Sequence, residues 1–336
     1  MTTGAIGSNV GRRTHSSVEE KMEVERRTLE AELSASIDSH VLVDVPSSPK
    51  AWSLVTTGLS QVGQSEVVFT VVHTDEDRDF PEGVFNYIRA LKHFAAQGKL
   101  VRDGDVSGYR APGPFQFGEF VGVAFFDAPP IAGLSLSDDV LAGVFLREGE
   151  LAMAMHCSVR RVLHRLGQAA RYFPTPYWSD PSRATVYSPR DAEQSILRKF
   201  ARASVSEATA TLRQETMTLC VPRTIAATLA ASLAAGNACA ILPRRRADVR
   251  AALVWSPGQQ EPEAIFAAGT PPDDFAATFV GFVPNGAPND DIRFMEDGYA
   301  VVLCESSTHR LVRSLGAGVP LELGSSQGPR LYVAIA

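Results

Sequence analysis

Apolar positions divide the 336-residue chain into short blocks whose period switches between that of a helix and that of a strand. Ser17-Val-Glu-Glu20 is a capping-box pattern, and Val18, Met22, Leu29, Leu33 and Ile37 share one stripe at helical spacing. This predicts an amphipathic helix from Ser17 to about residue 37, which docks on its own chain or on a partner. HVLVDV (40–45) and AWSLVTTGL (51–59) read as strands separated by Pro46 and Pro49. SEVVFTVVH (65–73) is continuously apolar and predicts a strand buried on both faces. A helix follows from about Pro81 to Gln97, with Val84, Phe85, Ile88, Leu91 and Phe94 on one face and Gly98 as its stop.

GEFVGVAFFDAP (118–129) is the next expected strand. LAGVFLREG (141–149) and ELAMAMHC (150–157) read as a hairpin turning at Glu148-Gly149, and VRRVLHRLG (159–167) as a short helix closed by Gly167. A second αβ unit starts near Ser195. ATATLRQETMTLCV (208–221) reads as one long strand, and Pro222 opens a helix that ends at Gly236. Strands are expected at 247–255, 277–284, 291–295 and 299–305, a helix over 306–315 with GAG (316–318) as its stop, and a last strand at 331–336. Asp297-Gly298 is the strongest hairpin signal in the chain.

Strands joined by hairpins and mixed with a few helices give an α+β class: two mixed αβ lobes with largely antiparallel sheets, preceded by the amphipathic N-terminal helix. The expected division is 1–37 for the tail and helix, with 1–16 read as a disordered tail, 38–190 for the first αβ domain, and 195–336 for the second.

Composition narrows the function classes. With 45% hydrophobic and 21% charged residues most of the chain should fold, and a net charge of −6 argues against a general nucleic-acid binder. Cys157, Cys220, Cys239 and Cys304 form no CxxC pair, and the last three sit in apolar runs. That reads as buried free thiols in a reducing compartment. No signal-peptide core and no run of roughly 18 apolar residues is visible, so a cytoplasmic location is expected, with membrane contact at most indirect.

The search for chemistry returns little. GxSxG, HExxH, Walker and strand-borne GxGxxG motifs are absent. Asp75, Asp77 and Asp79 have the 1-3-5 spacing of a calcium loop, but Phe80 stands where the turn needs Gly and Asn86 where a bidentate carboxylate is needed. The run reads as a solvated acidic turn. His156 and His164 lie among Arg160, Arg161, Arg165 and Arg171, whose charge opposes a metal ion. That basic helix is either an ordinary solvated face or a site for an acidic group. Arg244-Arg245-Arg246 is a second basic run, read as a loop or strand end. Tyr172, Phe173, Tyr177 and Trp178 stand in a Pro-rich stretch without period, where rigid aromatics serve as an interface anchor or as a lid over the core. The expected partner-binding residues are therefore Tyr172, Phe173, Tyr177, Trp178, Arg160, Arg161 and Arg165, with no catalytic or metal residues and no cofactor.

HVLVDV (40–45), AWSLVTTGLSQVGQSEVV (51–68), FPEGVFNYIRALKHFAAQGKLV (80–101), VRRVLHRLGQAARYFPTPYW (159–178) and EDGYAVVLCE (296–305) together resemble the C-terminal region of the family of the Smad anchor for receptor activation and endofin. The first half also bears a fainter likeness to suppressor of fused, through Gly58–Ser60, Glu66–His73, Pro81–Gln97 and Gly104-Asp105 in that order. The Smad-anchor likeness implies a non-catalytic scaffold or adaptor in endosomal trafficking, signalling or a cytoskeletal assembly. The suppressor-of-fused likeness implies an α+β domain that clamps a peptide from a transcription factor. The clustered cysteine pairs of the Smad anchors' FYVE-type zinc finger are absent. The competing expectation is a hydrolase-like enzyme using His156 or His164 in a cleft.

Overall fold

The computed structural model describes residues 35–42, 48–73, 80–109, 112–137, 139–173, 175–246, 248–267, 269, 274–324 and 329–336, without the side chains of 202–207. Most of the N-terminal helix expected at 17–37 and the acidic run 75–79 lie outside the described residues. Residues 35–37 do not continue a helix, because they begin strand β1 (Ala35–Val41), which pairs antiparallel with β2 (Lys50–Thr56). Ile37 therefore belongs to a sheet face, and the strand expected at 40–45 starts five residues earlier.

Among the described residues the first sheet has seven strands. To β1 and β2 it adds β3 (Val67–Val72), β4 (Val106–Gly108), β5 (Gly122–Asp127), β6 (Leu141–Leu146) and β7 (Trp178–Ser179), in the order β1-β2-β3-β6-β5-β4 with β7 beside β3. β3 pairs parallel with β6 and β7, and the other pairings are antiparallel. The sheet is covered on both faces, and the alternation of β3 shows how. Val67, Phe69 and Val71 pack with Val84, Ile88 and Leu91 of helix α1 (Glu82–Ala96). Val68 turns the other way, toward Met153 of α2 (Glu148–His156) and Val162, Leu163 and Leu166 of α3 (Val159–Ala170). A strand buried on both faces reads as a continuous apolar run, which is the pattern its sequence carries.

The expected hairpin at Glu148-Gly149 is instead the first turn of α2. The Glu150 carboxylate accepts the Arg147 backbone N–H at 2.9 Å, an N-terminal cap. Gly149 lies so close to the 180–188 segment that a Cβ there would be 1.9 Å from the Tyr187 carbonyl oxygen. Leu, Ala, Met and Glu are strong helix formers, and their propensity in ELAMAMH outweighs the alternation that resembles a strand. Helix α3 also runs past Gly167, which is buried within it, and stops at Arg171 in the left-handed region, φ 52°.

A short helix α4 (Pro189–Gln194) leads into the second, eleven-stranded sheet. Its strands are β8 (Ala201–Arg213), β9 (Thr216–Val221), β10 (Cys239–Arg244), β11 (Ala251–Val254), β12 (Glu263–Phe266), β13 (Phe275–Ala276), β14 (Val280–Val283), β15 (Asp291–Met295), β16 (Gly298–Val302), β17 (Leu321–Gly324) and β18 (Arg330–Ile335). The long strand expected at 208–221 is a hairpin, because Gln214 takes φ 53° and Arg213 pairs with Thr216. β8 pairs with β10 in its first part and β9 in its second, so one strand serves two branches of the sheet. Helices α5 (Arg223–Ala234) and α6 (Glu305–Ala317) pack on this sheet through Leu229, Leu233, Leu311 and Leu315.

The α+β class with two mixed sheets is what the chain adopts. The halves do not keep separate cores: Leu197, Phe200, Ala240, Trp255 and Phe279 of the second join Met153, Val162 and Leu166 of the first in one buried cluster.

Candidate functional site

A cleft of about 510 Å³ opens where the two halves meet. One wall is Asp103–Val106, the loop into β4 and its first residue. The floor is Ala154, Met155 and Cys157 through Arg160, where α2 passes into α3. The far wall is Phe200 with Leu242, Pro243 and Arg244 at the end of β10. Met155 is 52% exposed, a large apolar side chain held at the cleft surface.

Among the described strands, β4 lies at one edge of the first sheet. The Asp105 carbonyl accepts the Phe125 N–H at 2.9 Å and the Tyr109 N–H donates to the Val121 carbonyl at 2.8 Å. Hydrogen-bonded positions alternate along an antiparallel strand, so the peptide groups of Val106 and Gly108 face away from β5. Charge around the cleft is mixed. Arg160 holds both carboxylate oxygens of Asp103, and Arg244 stands 4.0 Å from Asp127 with both side chains largely in solvent. Partial desolvation, then Asp103, pushes Asp127 above its ordinary value, against the pull of Arg160, Arg244 and Arg245.

Helix α3 presents its arginines inward, not to solvent. Arg161 is fully buried: it pairs with Glu296, approaches Asp297 at 3.0 Å, donates to the Ser195 hydroxyl at 2.7 Å and lies 4.7 Å from the Trp255 ring. Arg165 is half-buried and bonded to Gln168. Among the expected contact residues of this helix, Arg160 borders the cleft while Arg161 is sealed from any partner.

Two rings of the aromatic loop are buried and two are half-buried. Tyr177 and Trp178 are 3% and 6% exposed, and Tyr172 meets the Trp178 ring edge-on at 4.8 Å. Phe173 packs against Val249 and Ala252 of the second half and lies 5.8 Å from the Arg245 guanidinium. Tyr177 and Trp178 are packed into the core shared by the two halves, and Tyr172 and Phe173 lie half-buried beside them.

His156 is exposed at the end of α2, and His164 is buried in α3. Burial, then the charges of Arg160 and Arg245, push His164 down to about 3. An imidazole held so low is a poor proton acceptor near neutral pH. Among the described residues no three His, Cys, Asp or Glu side chains gather as a metal site, and no helix is long and apolar enough to cross a membrane.

Sequence reasoning missed the cleft and the Glu296–Asp297 pair. The signal for the pair was present in the hairpin at 291–302, but its partner Arg161 lies far away in sequence.

No protein-family model and no curated protein matches the chain, so the Smad-anchor resemblance gains no support there. Over 89% of its length the chain is similar to the crystal structure of Drosophila Suppressor of Fused, covering 88% of that chain at 11% identity and TM-score 0.40. It is also similar, over 45% of its length, to 75% of a chain in the Sufu–Fu complex, at 16% identity and TM-score 0.36.

Proposed function

We propose that the protein is a non-catalytic protein-binding module whose two αβ units, 38–190 and 195–336, together grip an extended segment of a partner protein. The observation that carries this reading is the cleft walled by both halves, with the outward-facing peptide group of Val106 in one wall and that of Gly108 further along the same strand. An added strand takes its affinity from main-chain hydrogen bonds and its specificity from pockets for alternate side chains. Met155, Leu242 and Pro243 supply apolar contact, and Asp105 and Arg244 give the two walls opposite charge. The scaffold or adaptor role expected from the sequence is the biological form of this activity. The basic face and aromatic loop enter it as the frame of the cleft, with Arg160 at its border.

The test is to pan a displayed library of random peptides on the full chain and compare wild type with Val106→Pro and Met155→Asp. Val106→Pro removes an outward N–H and leaves the bonds to β5 in place. Enriched peptides should bind wild type and lose at least about tenfold in affinity for either variant, the equivalent of 1.4 kcal/mol. Peptides that bind both variants as well as wild type, or no enrichment at all, would refute the reading.

A further inference from the structure

We infer that Arg161, Glu296 and Asp297 form a proton-operated latch that holds the two halves together and sets the spacing of the cleft walls. This regulation of the cleft rests on its role as the binding site. Arg161 comes from α3 in the first half, and the two acids form the turn between β15 and β16 in the second. Asp297 is fully buried and the Arg161 side chain has no exposure. The start of the second half joins the cluster: the Ser195 hydroxyl donates to Glu296 at 3.0 Å and the Ile196 N–H donates to Glu296 at 2.9 Å.

The charge count makes the cluster sensitive to protons. One guanidinium faces two carboxylates, so the unprotonated cluster carries one uncompensated negative charge, with Asp297 fully buried and the Glu296 side chain 11% exposed. Burying such a charge is costly unless it is paired or neutralised. A proton on the Asp297 carboxylate removes it and leaves the Arg161–Glu296 pair intact. The groups facing Asp297 are Arg161 of α3, Tyr187 of the 180–188 segment, Glu296 of its own turn and the Thr278 hydroxyl. Burial pushes Asp297 up to about 6, with Glu296 adding to the rise and Arg161 opposing it.

The latch and the cleft share one helical turn. Val159 and Arg160 line the cleft while Arg161, the next residue, enters the cluster. The far wall, Leu242–Arg244, belongs to the half that carries Glu296 and Asp297. Proton uptake therefore draws the two walls together, and proton loss above about pH 6 loosens them. In linkage terms, a carboxyl whose folded value is raised contributes stability at low pH that is lost as pH rises through that value.

His164, held low, acts with the opposite sign, so the readout is the difference between wild type and variants at two pH values. Melting temperatures are measured for wild type, Asp297→Asn and Glu296→Gln at pH 7.5 and 5.5. Wild type should gain about 2 °C relative to Asp297→Asn on acidification. Glu296→Gln leaves one carboxylate against one guanidinium, and wild type should gain on it similarly. Amides of 103–106, 159–162 and 242–244, corrected for intrinsic exchange, should become more protected at pH 5.5 in wild type but not in the variants. An unchanged wild-type advantage over both variants, or protection that responds equally in all three, overturns the latch. If Asp297→Asn does not fold, Glu296→Gln decides alone. None of these measurements involves a partner, so failure of the latch and failure of peptide binding are separate results.

Discussion

The Glu150 carboxylate grips Arg183 through both oxygens, at 2.5 and 2.6 Å, and the same oxygens accept the backbone N–H groups of Arg147 and Val186. Glu150 has no exposed surface, yet it ties the start of α2 to the 180–188 segment. Replacing it with Ala strands the Arg183 guanidinium and two backbone donors. Breaking a buried pair from one side costs about 3–5 kcal/mol. Urea unfolding of Glu150→Ala should show that loss, and a change below about 1 kcal/mol would mean the pair is dispensable.

Two glycines in helices should respond in opposite directions to Ala. At Gly149 the new methyl meets the Tyr187 carbonyl oxygen, whereas at Gly316 in α6 nothing lies within 4 Å. Gly149→Ala is expected to cost about 3 kcal/mol and Gly316→Ala to gain up to about 1 kcal/mol, through helix propensity. Thermal melts of the pair, run side by side, check the contrast.

Acid lability should trace to His164. The folded chain keeps this imidazole neutral down to about 3, while the unfolded chain takes up a proton below its ordinary value of 6.5. Stability is therefore fully present above 6.5 and drains away as pH falls toward the folded value, by at most about 1.4 kcal/mol per pH unit. His164→Leu should flatten the acid limb of the unfolding free energy between pH 7 and 5. An acid limb as steep as that of wild type would assign the lability to other groups.

The cysteines should separate by reactivity. Cys304 stands half-exposed at the start of α6, where bonds from Ser306 and then from the Ser307 backbone hold its thiol below the ordinary value. Cys239 is buried and pushed up to about 11. Cys157 is fully buried. Thiolate fraction and access set alkylation rates, so iodoacetamide followed by peptide mass spectrometry should modify Cys304 first. This departs from the buried thiol that its apolar run suggests, because the run ends one residue short of it.

Local chemistry made much of the fold legible. The run 65–73 announced a strand with two covered faces, the Pro81 and Gly98 borders bracketed α1, and Asp297-Gly298 announced a hairpin. Even there the turn sits one residue earlier than expected, at Glu296-Asp297, because a Cβ at position 298 would be 2.4 Å from the Phe279 carbonyl oxygen. The glycine is needed for the close approach of a neighbouring strand, and Glu296 takes the left-handed φ of 56° in its place.

The sequence by itself determined the α+β class and the places of most strands and helices, since period, caps and turn residues act over a few positions. Only the tertiary structure decided that ELAMAMH is a helix, that 208–221 folds back on itself, and that the basic helix buries Arg161 and the aromatic loop buries Tyr177 and Trp178. Those outcomes depend on groups far apart in the chain, such as Gly149 with Tyr187 and Arg161 with Asp297. A residue's burial and its charged neighbours are fixed by packing across such distances, and no local pattern encodes them.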